Sequence, residues 1–220
     1  MNTGLKICLV SYILFFSIAC SRHLQEKLIS ESGRSTSSKS LDPPVYAKWI
    51  LDKKNGMHQA IINSNICYEL VYMPNEYIVC QETKSNTLND SLLYSRLSEL
   101  KGMQYFKLRI SLVNEFGDLL KYNLNSPDQY TERIKYASFE MQNDIRLVQN
   151  KDTISCKLFH FERLFDAAPY STFLLGFPLG QENTISDKVI EFNDNLFDQG
   201  TQTFTFHKDA LTRIPKLRTL

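Results

Sequence analysis

Twice between residues 66 and 112 large apolar side chains recur at every second position. Ile66, Tyr68, Leu70 and Tyr72 alternate with Cys67, Glu69 and Val71, and Phe106, Leu108, Ile110 and Leu112 alternate with Lys107, Arg109 and Ser111. Successive strand residues point to opposite faces, so a period of two predicts strands with one face in a core. Residues 145–148, 153–161, 172–177, 188–192 and 203–207 read as further strands. Turn material separates them at Asn150-Lys151-Asp152, Phe177-Pro178-Leu179-Gly180 and Asp198-Gln199-Gly200. Within 153–161, Phe159 and Phe161 face one way and Ile154, Cys156 and Leu158 the other, so this strand is expected in the middle of a sheet.

Two stretches break the alternation with helical spacing. Thr87-Leu88-Asn89-Asp90 resembles a capping box, after which Leu88, Leu92, Leu93, Leu97 and Leu100 fall on one face before Gly102. Ser126-Pro127-Asp128-Gln129 is a second N-terminal signature, leading to Tyr130, Ile134 and Ala137. Met141 continues this helical face, while Phe139, Met141, Asn143 and Ile145 equally suit a strand, and the strand is the preferred reading. The expected fold is mainly β or α+β, an antiparallel β-sandwich-like single domain with two short helices.

The amino terminus follows different rules. Residues 7–19 are apolar and uncharged, too short to span roughly 30 Å of hydrocarbon, and are followed at once by Cys20, Ser21, Arg22 and His23. This is signal-peptide anatomy. Residues 21–44 are Ser-rich and nearly free of aromatic groups, a composition that cannot bury enough surface to order itself. The division expected is a signal peptide over 1–19, an anchor and flexible tether over 20–44, and a folded domain over 45–220.

Ser17-Ile18-Ala19-Cys20 resembles the lipobox of bacterial lipoproteins, in which small residues precede a cysteine that is acylated and becomes the new first residue. The resemblance implies that Cys20 is the lipidated residue. It also implies sorting to the outer membrane, facing the periplasm, since Ser21 and not Asp follows the cysteine. The competing reading is ordinary secretion with Cys20 left as a thiol. The mature region is similar to uncharacterised predicted lipoproteins of Bacteroidota-type bacteria through Tyr72-Met-Pro-Asn-Glu-Tyr77, Phe159-His-Phe-Glu-Arg163 and Ala168-Pro-Tyr170. That likeness implies a location and no activity.

Charge narrows the partners. The chain carries 25 basic and 24 acidic residues. Removing residues 1–19 takes away only Lys6, which leaves a formally neutral mature protein. Nucleic acid is not an expected partner, and attachment to a membrane must come from lipid and not from a basic surface.

Candidate chemistry is sparse. His23, His58, His160 and His207 make no zinc spacing, and no P-loop, G-x-G-x-x-G or G-x-S-x-G motif occurs, so no cofactor or metal is implied. His160 and Glu162 share one strand face, where they are either an acid/base or metal pair or an ordinary solvated pair. Tyr170, in the segment 166–170, is the expected exposed contact. If the chain folds back at Met73-Pro74, Cys67 stands opposite Cys80 and a disulfide can form; otherwise Cys67, Cys80 and Cys156 are small buried hydrophobes. The functional expectation is a lipid-anchored envelope protein with a non-enzymatic interaction or structural domain that engages an envelope protein partner. The alternatives are a carrier of a lipid or other apolar ligand, or a small hydrolase using His160, Glu162 and His207.

Overall fold

The computed structural model describes residues 40–84, 86–113, 117–163, 168–180 and 185–220. The expected signal peptide, Cys20, nearly all of the tether and part of the segment 166–170 lie outside them. Among the described residues the first regular structure is at Ser40, ahead of the boundary expected at residue 45. Strand β1 (Ser40–Leu41) pairs in parallel with the last strand, β11 (Lys216–Leu217). Pro43-Pro44 then opens helix α1 (Pro43–Leu51), which buries Pro43, Tyr46 and Ile50. A proline fits the first helical turn because the amide it lacks has no intrahelical partner there.

Two antiparallel sheets form the body. The first has five strands in the order β2 (His58–Asn63), β3 (Ile66–Met73), β4 (Met103–Leu112), β8 (Tyr170–Pro178) and β7 (Leu158–Glu162). The second has four, in the order β10 (Gly200–Phe206), β9 (Lys188–Asp194), β5 (Ile145–Gln149) and β6 (Asp152–Ser155). The alternation read from the sequence decides which face turns inward. Tyr68, Leu70, Phe106, Leu108, Ile110, Phe173 and Leu175 from the first sheet are fully buried with Ile145, Leu147, Ile190, Phe192, Phe204 and Phe206 from the second. Rings bridge the layers: Tyr68 meets Phe192 edge-on with centroids 6.2 Å apart, and Phe106 lies 5.5 Å from Phe206. This is the β-rich α+β sandwich expected.

Helices α2 (Asn75–Thr83), α3 (Asp90–Leu100) and α4 (Pro127–Lys135), with the short α5 (Lys208–Leu211), bring the described α-helices to five, more than the two expected. The predicted cap at Ser126 forms, whereas the helix expected to start from a capping box at Thr87 is capped two residues later by Asn89. Asn89 accepts from the Ser91 amide at 2.7 Å, Ser126 accepts from the Gln129 amide at 3.3 Å, and Gln129 reaches back to the Asn125 amide at 2.7 Å.

Three expectations are corrected. The chain does not fold back at Met73-Pro74. Pro74 precedes α2 instead, the partners of β3 are β2 and β4, and Cys67 and Cys80 are free thiols, Cys67 on a strand and Cys80 buried on the helix. Residues 153–161 are not one central strand: the chain crosses between sheets at Cys156-Lys157, and β6 and β7 are edge strands of different sheets. Lys157 donates its amide to Gly176 O at 2.8 Å as the new pairing begins. Residues 139–144 stay helical, as a π-turn over Tyr136–Glu140 and a 3-10 turn over Met141–Asp144, which buries Met141. The carboxyl end packs on the domain: α5 buries Ala210 and Leu211, β11 pairs with β1, and Leu220 donates its amide to Leu88 O at 3.0 Å.

Candidate functional site

The outer face of the five-stranded sheet is built from the positions that alternate with the core. Directly paired residues of antiparallel strands project to the same side, so the register writes the face in rows. One row is His58, Val71, Lys107, Leu174, His160; the next is Ala60, Glu69, Arg109, Thr172, Glu162; a third is Ile62, Cys67, Ser111, Tyr170. Leu51, from the end of α1, joins His58, Glu69, Lys107, Arg109 and Tyr170 around a cavity of about 390 Å³.

Glu69 is the hub of this face. Arg109 on the neighbouring strand donates to Glu69 Oε2 from Nε at 2.8 Å and again from its terminal nitrogen, while Lys53 Nζ and His58 Nε2 approach Oε1 at 3.3 and 3.2 Å. Burial alone would raise the Glu69 carboxyl, yet the bonds and charge of Arg109, with Lys53 and His58, outweigh it and hold it below the usual carboxylate range. His58 Nδ1 also meets Leu51 O at 2.9 Å, so both ring nitrogens face oxygen atoms. Arg109 in turn lies over the Tyr170 ring, 5.1 Å from its centre. Burial, and the like charge of Arg109, push the Lys107 amine down.

A second concave site lies at the end of the sandwich where the two sheets meet. Lys188 opens β9 on the inward face shared with Ile190, Phe192 and Asp194, and it is only 7% exposed. Its ammonium donates to Gln104 Oε1 at 2.7 Å and Gln149 Oε1 at 3.3 Å and sits 5.7 Å from the centre of the Tyr72 ring. Gln104 Nε2 also bonds Gln149 Oε1 at 3.2 Å and Pro178 O at 3.3 Å, and Gln149 Nε2 bonds Ser186 Oγ at 3.0 Å. Among the described residues no carboxylate lies within 4 Å of Lys188 Nζ. Desolvation pushes this amine down to about 8. It borders a cavity of about 530 Å³.

Of the residues singled out in the sequence, Glu162 and Tyr170 border the Glu69 cavity. His160 stands one row away on the exposed edge strand, paired with Leu174. His207 follows β10 of the other sheet and precedes α5, its Nδ1 3.5 Å from Asp187 Oδ2, so it does not share the strand face of His160. Cys20 lies outside the described residues. Glu69, Arg109, His58 and Lys188 were not singled out, although Glu69 and Arg109 occupied the polar phase of the two clearest strands, and Lys188 the same phase as Ile190 and Phe192. Among the described residues no group of three His, Cys, Asp or Glu could hold a metal ion, and no helix is long and apolar enough to cross a membrane. No protein family, curated protein or solved structure matches the chain.

Proposed function

We propose that this chain is a lipid-anchored protein of the cell envelope, tethered through Cys20 to the outer membrane on its periplasmic side. Its β-rich domain is a non-enzymatic interaction module that docks an envelope protein on the outer face of the five-stranded sheet. One observation carries the docking surface: the row from Glu69 through Arg109 to Glu162, flanked by Lys107 and Tyr170, presents both signs of charge around a concavity. Arg and Tyr are the side chains enriched where partners bind, and ion pairs at a rim set orientation and register. Ile62, 63% exposed at the end of the third row, adds an apolar contact beside the charges. The neutral mature chain supports a protein partner over nucleic acid or acidic headgroups.

A photo-crosslinking side chain at Ile62, with Thr203 on the outer face of the other sheet as control, tests this in intact envelopes. The reading requires a discrete adduct from Ile62 and none from Thr203, and equal labelling from both positions removes it. The anchor is tested separately, since Cys20→Ser should abolish acyl labelling and release the protein from membranes.

A second reading, a carrier of an apolar ligand, is favoured by the cavity beside Lys188. It stands independently of the docking face.

A further inference from the structure

Lys188 is a buried cation whose surroundings are incomplete. An ammonium has three donors. Gln104 and Gln149 take two of them with neutral carbonyl oxygens, and among the described residues no anion balances the charge. Buried charges are ordinarily paired with an opposite charge. This one opens instead on a cavity walled by Leu97, Met103, Leu179, Ile185, Leu211 and Ile214. Leu179 and Ile185 are 51% and 56% exposed, large apolar groups left in water. The volume, about 530 Å³, falls within the roughly 300–1,000 Å³ of small-molecule sites.

We propose that this cavity binds a small amphipathic monocarboxylate, its carboxylate completing the coordination of Lys188 and its apolar body covering Leu179 and Ile185. The charge of the ligand follows from the lining. Tyr72, Glu76 and Lys101 are the other titratable groups around the cavity, and Glu76 and Lys101 are opposite in sign, so the unbalanced charge is the single one on Lys188. A monoanion cancels it; a phosphate dianion would overshoot beside Glu76. Gln104 and Gln149, each bonded to further groups, hold the ammonium in place and limit the head to one that accepts from Lys188.

The inference deepens the carrier reading by naming the head group, and it does not depend on the sheet face. Titration of the full chain with octanoate and with octanol at pH 7 tests it, because the two share an apolar body and differ in the head. Octanoate should bind at least tenfold more tightly, and Lys188→Met should abolish the difference. As pH rises past 8 the preference should shrink, since Lys188 loses its proton while the ligand stays anionic. Equal binding of both probes, or a preference that survives Lys188→Met, overturns the carboxylate site and leaves the carrier reading standing. Binding of neither overturns both. The wild-type comparison needs no variant, so it decides the question even where Lys188→Met fails to fold.

Discussion

Lys188 and Asp194 stand at opposite ends of one strand, on the same inward face, and neither bonds the other. Lys188 is held by two glutamines. Asp194 takes a hydrogen bond from the Tyr68 hydroxyl of the facing sheet, and the amides of Leu196 and Phe197 donate to its Oδ1 at 2.9 and 3.2 Å. One strand thus carries a buried charge of each sign, and each is solvated by the protein across the sandwich or the following turn.

Tyr68→Phe removes a hydroxyl from a buried carboxylate without altering the ring contact with Phe192. The expected loss is about 1–3 kcal/mol in chemical denaturation, the range for stranding one buried polar partner. Asp194→Ala should cost more, because it strands the Tyr68 hydroxyl and frees the turn at Leu196 and Phe197.

The stability difference between the wild type and Lys188→Met should depend on pH. The unfolded lysine keeps its proton up to an ordinary value of 10.5, while the folded one gives it up near 8. Between those values the unfolded chain holds more protons, so stability from this group rises with pH. The wild type should gain on the order of 3 kcal/mol relative to Lys188→Met from pH 8 to 10.5. Denaturation series on both proteins measure it.

Glu69 gives the opposite sign. Its folded carboxyl titrates lower than its unfolded one, so its contribution is present above the ordinary carboxylate range and is lost as pH falls through the folded value. Glu69→Gln should cost about 1–2 kcal/mol at neutral pH, since Arg109 is partly exposed, and should flatten the acid limb of the stability curve.

Gly176 on β8 pairs directly with Leu158 on β7. A Cβ there would come within 2.8 Å of Leu158 Cβ and 3.1 Å of Met103 Cε. Gly176→Ala should therefore destabilise by about 1–3 kcal/mol, read as a lower Tm.

The thiols should differ in reactivity. Cys67 is half-buried, while Cys80 and Cys156 are buried and pushed up to about 11 by desolvation. Alkylation of the native protein should modify Cys67 first, and denatured, unreduced protein should show all three thiols reactive by mass spectrometry.

Strand content and inward faces were legible because Tyr68, Leu70, Phe106, Leu108, Ile190 and Phe192 keep a strict period of two. The cap at Ser126 was legible, but the Thr87-Leu88-Asn89-Asp90 pattern put the other helix start at Thr87, two residues ahead of the Asn89 that caps it. Register was not, because β3 and β4 pair across two intervening helices and nothing local aligns Glu69 with Arg109. Helix α2 escaped notice because Tyr77 and Val79 keep a strand's spacing of two while only Tyr77 and Cys80 are three apart, so Pro74 read as a turn. The crossing at Cys156-Lys157 was hidden by apolar residues on both sides of the break. Lys188 was visible in phase with Ile190 and Phe192, but a lysine at a strand end is ordinarily solvated, and its burial rests on Gln104 and Gln149, which come from other strands.

Charge reversal at Glu162, an exposed residue on the edge of the charged row, measures most directly whether the sheet face docks a partner. With Glu162→Lys, the adduct captured from Ile62 in intact envelopes should fall at least tenfold while Tm stays unchanged. An adduct of undiminished yield, at the same Tm, would contradict the assignment of that face.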